Sequence, residues 1–553
     1  MAQDLSDINT ANPFVIAGNV NMTQTLRYGN DYIIENPYTS IYSVNLNCKV
    51  LGWSIPVSGI YSNREFNYSH PFNRLSLSPS FKWIKTRVGH TSMTFSPYTL
   101  SGHSFTGGGI ELSPPGKFTM SAMAGRLKKA MEADTVHQTE NAFARWGYGI
   151  SGDFNYKSVN LGASFFYAKD NGGSEINVVD SLLVNPMENL ASSFRLQTTL
   201  FKNLTLKGEY GISLLTSNIY QEKSGNRFRF MQRNQSSAAH HAYKINFTYQ
   251  SLLGAFSASM EHVDPGYKTF GAYYFVNDFV NYTLGYAAAF LQNKINLSFT
   301  GGLQEDNLSN TLSTGNRRKV GAISLAIVPV KPLNLQFNYS AFNDYTHIAD
   351  PLEEVGRVVP WIEEDTLTFT QVSESASAGL SWNIEQKENA TQFLSLNTTL
   401  QKTATGQQGN TKSEGTEIFN LMGAYNLSFT RQKLSLSATF SLSCNESAVL
   451  NTTLYGPGLS LRQQLFSGLL SVNLSGSHHQ SLQQNIPARP GEPIRQISSI
   501  TVLRGAASLN FKKTHQLTIT PALAFRKKSK NTRNNDGSVV VRYGCRFGKK
   551  NDY

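Results

Sequence analysis

Ser538-Val-Val-Val-Arg-Tyr-Gly-Cys-Arg-Phe547 is the stretch whose reading decides the fold. Val539, Val541, Tyr543, Cys545 and Phe547 fall on one side of an extended chain. Ser538, Arg542, Gly544 and Arg546 fall on the other, with Val540 the one apolar intruder. A period of two is the signature of a β-strand with one apolar face. About ten residues, tilted at about 45°, cross the apolar layer of a bilayer. One such strand is weak evidence, and the case rests on the rest of the chain repeating the pattern.

It does so throughout. Phe14 to Arg27 reads as a first strand, and Ile41 to Val50 as a second with Tyr42, Val44, Leu46, Cys48 and Val50 in phase. Leu434, Leu436, Ala438, Phe440, Leu442 and Cys444 alternate with Ser435, Ser437, Thr439, Ser441 and Ser443. Short polar or Gly/Pro turns lie near Gly52, Trp83, Pro115, Lys157, Lys202, Ser251, Asn293, Lys331, Glu388, Gln432, Gly468 and Lys513. An apolar-x-apolar strand start follows each turn, as in Val159-Asn-Leu161 and Leu434-Ser-Leu436. Between the turns lie strand pairs joined by longer polar loops, for example Lys169 to Leu190, Thr216 to Ala239, Asp344 to Asp365 and Ser481 to Gln496. Each turn joins two strands, and two terminal strands complete a count of about 26, within an expected range of about 22–26. The expected fold is all-β: a large transmembrane antiparallel up-and-down barrel with short periplasmic turns and longer extracellular loops. A soluble propeller or solenoid also alternates, but no blade motif repeats here.

Composition agrees. The 553 residues suffice for one large barrel, and the mean hydropathy is −0.30, with no apolar run long enough for a membrane helix. Cys48, Cys444 and Cys545 sit on apolar phases at no metal or redox spacing. The net charge of +12 is scattered. Scattered cations argue against a nucleic-acid partner and suit loops beside anionic lipid head groups. Residues 1–13 are expected to form a short periplasmic segment, 14–547 the barrel and 548–553 a tail. Met1-Ala2-Gln3-Asp4 reads as a mature start left after removal of a signal peptide. A strand pattern that begins by Phe14 leaves no room for the N-terminal plug of a TonB-dependent transporter.

The most motif-like segment is Asn73 to Ala130. It holds Phe95-Ser-Pro-Tyr-Thr-Leu-Ser-Gly-His103, Gly107-Gly-Gly-Ile-Glu-Leu112, Pro114-Pro-Gly-Lys-Phe118 and Gly125-Arg-Leu-Lys-Lys-Ala130. The glycine run admits two readings, an approach surface for a ligand or backbone, and a strand kink that relieves curvature. The kink is preferred, with Pro115-Gly116 as a hairpin turn. No Gly-Lys-Ser/Thr follows, so it is no phosphate loop. The densest aromatic cluster is Tyr267, Phe270, Tyr273, Tyr274, Phe275 and Phe279, suited to an interfacial girdle, a partner or a lumen surface. The loop Gln221 to Gln235 interleaves Lys223, Arg227, Arg229 and Arg233 with Phe228, Phe230 and Met231. It suits lipopolysaccharide phosphates, an acidic partner or plain solvent.

The segment Phe95 to His103, with Gly116-Lys-Phe118 and Gly125 to Ala130, resembles a family of large outer-membrane β-barrel proteins of the Bacteroidota. So does Asp264-Pro-Gly-Tyr-Lys-Thr-Phe-Gly-Ala-Tyr-Tyr-Phe275 with Asn277-Asp278. The terminal strand likewise resembles the C-terminal signal strand of bacterial outer-membrane barrels, although Gly548 to Tyr553 follow its aromatic end. The resemblance implies an integral outer-membrane location and brings no catalytic residues. Asp134-Thr135-Val136, Asp180-Ser181-Leu182 and Asp365-Thr366-Leu367 resemble the O-glycosylation signal of those bacteria, which makes Thr135, Ser181 and Thr366 candidate sites.

No nucleophile elbow accompanies His90, His103, His240, His241, His478 or His479. The run Glu363, Glu364, Asp365 lacks the spacing of a calcium loop. No enzyme activity, catalytic residue, metal or cofactor is therefore expected. The first functional expectation is a structural or accessory subunit of an envelope complex that assembles or exports outer-membrane or surface proteins. Tyr98, His103, Gly108, Arg126, Lys128, Tyr267, Tyr273 and Tyr274 would be its docking residues, with other outer-membrane proteins or lipoproteins as partners beside the lipid and lipopolysaccharide. The alternative is a porin-like passive channel for nutrients, and the third reading an outer-membrane hydrolase.

Overall fold

Strands account for nearly all of the described chain in the computed structural model, which describes residues 14–29, 37–63, 74–130, 142–172, 185–228, 231–273, 275–309, 314–348, 367–407, 415–485, 495–512, 514–528 and 532–548. The N-terminal segment 1–13, the residues after 548, Thr135, Ser181, Thr366, Tyr274, the run Glu363 to Asp365, and Arg229 and Phe230 lie outside the described residues.

One antiparallel sheet runs from Phe14–Gly29 to Thr532–Phe547 and closes on itself. Its pieces Arg74–Leu77 and Ser80–Phe81 form one interrupted crossing, so the wall is a closed barrel of 26 strands. Closure is made by the stretch quoted first: Val539, Tyr543 and Phe547 lie opposite Leu26, Met22 and Gly18. Each of the twelve short turns read from the sequence falls between two consecutive strands of this wall. Several need a left-handed residue at the tip, as at Lys157 (φ 52°) and Lys433 (φ 51°). That geometry matches the twist of the flanking strands in a tight hairpin. The opposite links are mostly longer, but Ser447 and Leu450 are joined by only two residues, and Thr94 and Ser101 by only six. The glycine run lies within the strand Ser101–Leu112.

Alternation sorts the side chains into two faces. Leu436, Leu459, Leu474, Leu503 and Leu523 lie exposed on the outside, on neighbouring strands. Aromatic residues collect at both ends of this outer face. Trp53, Tyr156, Tyr249 and Trp382 lie near the short turns, and Tyr28, Tyr38, Tyr61 and Trp146 near the opposite rim. An apolar band between aromatic girdles is what a lipid-spanning barrel presents. The inner face is polar. Ser377, Asn397, Asn420 and Ser443 point inward on the four strands between Leu367 and Ser447. The buried apolar core instead sits inside the lumen, on one wall.

Candidate functional site

That core exists because two links of the barrel fold inward. The first is the six-residue turn Phe95 to Leu100. Pro97 fixes its own φ and interrupts the alternation. The turn closes through Phe95 N–H to the Leu100 carbonyl (2.8 Å) and Thr99 N–H to the Ser96 carbonyl (3.2 Å). Gly102, at φ 69°, lets the chain re-enter the wall. Phe95, Leu100 and Phe105 are buried against Met93, Met123, Leu127, Phe166 and Ala168. Burying each large side chain contributes roughly 1.5–3 kcal/mol, which favours the inward conformation over a solvated loop.

The second link runs from Asp264 to Asp278, between Gly254–Val263 and Phe279–Phe290. It lies along the first: Leu100 and Gly271 form a parallel bridge, and Ser101 N–H donates to the Gly271 carbonyl at 2.8 Å. Tyr267 donates its hydroxyl to the Tyr98 carbonyl at 2.9 Å, and Thr269 donates to the Thr99 carbonyl. Asn189, fully buried, receives the Phe270 N–H at 3.2 Å and donates to the Lys268 carbonyl at 3.0 Å. Arg145 lies over the Phe270 ring at 3.6 Å while it pairs with Asp170 at 2.7 Å. Together the two links form a pad on the lumen wall.

The wall beneath the pad carries a row of charges. Asp153, Gly162, Arg195, Glu209, Lys244 and Glu261 are cross-strand neighbours on six successive strands. Arg195 pairs with Asp153 at 2.9 Å and Lys244 with Glu261 at 2.7 Å. The first link bonds to three members of this row. The Phe95 carbonyl accepts from Arg195, the Ser96 hydroxyl donates to Glu209, and the Tyr98 hydroxyl donates to Glu261 at 2.9 Å. Charge-assisted bonds of this kind are about twice as strong as neutral ones. The bond from Ser96 also gives the Glu209 carboxylate a partner beneath the pad.

Glycines make the approach possible. A Cβ on Gly211 would lie 2.8 Å from the Tyr98 Cβ and 2.9 Å from the Tyr267 hydroxyl oxygen, and one on Gly149 would lie 2.6 Å from the Phe95 ring. One on Gly109 would strike the Met93 sulfur, and one on Gly107 the neighbouring backbone. Gly107 and Gly109 thus allow close approach, whereas a Cβ on Gly108 would meet nothing nearer than 3.8 Å. Burial in the pad, with Glu261 next in weight, raises the Tyr98 hydroxyl above the ordinary tyrosine range; burial and then Glu209 do the same to Tyr267. Burial lowers Lys268, as does nearby Arg145, with Asp170 opposing them.

The residues picked from the sequence for docking divide between the two faces. Tyr98, His103, Tyr267 and Tyr273 come together in the pad, where His103 stacks on Tyr273 with ring centroids 4.1 Å apart. Tyr98 is 2% exposed and Tyr267 0%. Tyr98 and Tyr267 are spent on the chain's own wall, whereas Tyr273 is 44% exposed. Gly108 lies on the outer phase of its strand, and Arg126 faces out opposite exposed Trp146. Lys128 lies beyond an irregularity in the same strand pairing, opposite Arg145. Among the basic loop residues, Lys223–Phe228 and Met231–Asn234 form a small hairpin outside the barrel sheet. His478 accepts or donates a hydrogen bond with Thr501 at 2.8 Å on the outer face. Among the described residues no three His, Cys, Asp or Glu side chains gather as a metal site. Asn189, Arg195, Glu209 and Glu261 were not singled out from the sequence. The available signal was glycine on the inner phase of neighbouring strands, as at Gly149, Gly162 and Gly211, interleaved with charged Asp153 and Glu209.

No protein-family model matches the chain, and no curated protein matches it. Neither comparison supports the Bacteroidota resemblance read from the two segments. Among solved structures, the P pilus usher (PapC) translocation pore is similar at 10% identity, covering 96% of this chain and 99% of that one, with a TM-score of 0.35. BauA, the ferric preacinetobactin receptor from Acinetobacter baumannii, matches at 10% identity over 95% of this chain and 80% of its own, with a TM-score of 0.40. OccK3 (OpdO) of Pseudomonas aeruginosa matches at 7% identity over 96% of each chain, with a TM-score of 0.30.

Proposed function

We propose that the chain is an integral outer-membrane β-barrel that works as a passive channel for small hydrophilic solutes, with the pad as a fixed constriction on one wall. The observation that carries this reading is the use of both distinctive segments. Phe95 to His103 is latched to the inner wall by Arg195, Glu209 and Glu261, and Asp264 to Asp278 is held there by Asn189. Their side chains narrow a lumen whose inner face elsewhere, on the described strands from Leu367 to Ser447, carries Ser and Asn. A polar inner face suits water, and wide barrels conduct unless filled. An accessory role in assembly or export drew its support from those same segments as docking surfaces. The burial of Tyr98 and Tyr267 on the chain's own wall favours the channel reading over that one.

The test is reconstitution of the folded protein in planar bilayers. Stable steps of open conductance are expected, with permeability set by lumen charge. A folded barrel that passes no current, and that permits no sugar entry in liposome swelling, overturns the channel reading.

A further inference from the structure

Charge on the inner face is divided unevenly. Beneath the pad, cations and carboxylates alternate, as in Asp153, Arg195, Glu209, Lys244 and Glu261. Around the seam where the barrel closes, the balance is different. By the same alternation Lys49, Arg462, Arg542 and Arg546 point inward, and so do Arg27 and Arg504. On that side Asp536 points inward too, but it is held by Arg526 at 3.2 Å.

Two of these arginines flank a recess. Arg504, Ala522, Ser538 and Arg27 are cross-strand neighbours on four consecutive strands, because the last strand pairs with the first. The two small residues in the middle leave a hollow of about 370 Å³, bounded by Arg27 and Arg504 at its sides and by Ala524 and Asp536 above. Both arginines are exposed to the lumen, and neither guanidinium has an ion-pair or hydrogen-bond partner among the described residues. A guanidinium offers five donors in a planar fork matched to carboxylate or phosphate oxygens. Two of them across a floor without competing side chains focus the field on an anion.

We propose that this recess is a binding station for small anions that carry two or more carboxylate or phosphate groups, one for each guanidinium. The assignment deepens the channel reading, on which its role in transport rests. The binding itself does not depend on conduction. A station on a conduction path must also release its ligand, so the affinity is modest and falls with salt.

The experiment is calorimetric titration of the full chain in detergent with inorganic pyrophosphate, with citrate as the carboxylate probe. Wild type is compared with Arg27→Gln/Arg504→Gln and with Arg462→Gln, a cation on the same wall outside the recess. Heat-modifiable migration on gels confirms that each variant is a folded barrel. Pyrophosphate and citrate are expected to bind wild type and Arg462→Gln alike, and to bind the double variant at least tenfold more weakly. No binding to wild type, or equal binding to the double variant, overturns the station. Bilayer recording separates the two claims. Pyrophosphate binding by a barrel that passes no current leaves the station standing and removes the channel. Steady current without pyrophosphate binding does the reverse.

Discussion

Arg195 reaches Asp153 across Gly162: its Nη2 lies 2.9 Å from the Asp153 carboxylate, and the strand between them contributes no side chain at that level. A Cβ on Gly162 would meet the Asp153 carboxylate and lie 2.6 Å from the Arg195 Nε. The same guanidinium holds the Phe95 carbonyl. One missing side chain thus connects the charge row to the pad.

Gly162→Val is therefore expected to push Arg195 off both partners and to cost about 0.5–3 kcal/mol, the usual range for a destabilising substitution. Gly208→Val is the control, since nothing lies within 4 Å of its Cβ position. Urea unfolding in lipid vesicles measures both. Equal midpoints for the two variants would refute the bridging role of Gly162.

The outward and inward faces differ most plainly at two adjacent residues. Leu459 is 68% exposed on the outer face, and Ser460 points into the lumen opposite Ser437 and Ser475. Leu459→Arg places a cation in lipid and is expected to cost about 2–4 kcal/mol near the bilayer midplane. Ser460→Arg is expected to fold with a stability close to wild type, because its side chain reaches water. The same vesicle unfolding assay reads both, and a reversed order would contradict the assigned faces.

This two-face pattern was legible in the sequence, and so was the wall. Turns such as Gly52, Lys157 and Lys433 sit where polar tips interrupt an unbroken period of two, and a hairpin needs only that local information. The pad was not legible in the same way. Phe95 to Leu100 and Asp264 to Asp278 are 169 residues apart at their Tyr98–Tyr267 contact, so nothing local announces that they meet. Their aromatic residues stood out, but the same residues would suit a girdle, a partner or a lumen. What decides among these is the register of six strands, which aligns Asp153, Arg195, Glu209 and Glu261 under the turn. No single strand displays that alignment.

Docking of the pad should depend on pH with a maximum. Tyr98 and Tyr267 have raised hydroxyls, so the docked state disfavours their ionisation while the undocked state loses the protons near the ordinary value of about 10. Their contribution is fully present below about pH 10 and is lost as pH rises beyond it. Lys268 is lowered and acts in the opposite sense: below its ordinary value of about 10.5, rising pH removes a proton that the docked state holds less well. Docking is thus strongest near pH 10 and weakens steeply above it. Single-channel noise recorded from pH 7 to pH 12 checks this, with Tyr98→Phe/Tyr267→Phe expected to flatten the alkaline rise. Flat noise in wild type would contradict it.

The most direct test of the latched pad is the single-channel conductance of Gly211→Val beside wild type. The valine methyls take the space that Tyr98 and Tyr267 occupy, since a Cβ there already lies 2.8 Å from Tyr98. Gly211 touches no charge of the row, so the barrel wall should still form. The account predicts steady current in wild type and a larger, flickering current in the variant as the pad leaves the wall. Identical currents from two folded barrels would contradict it.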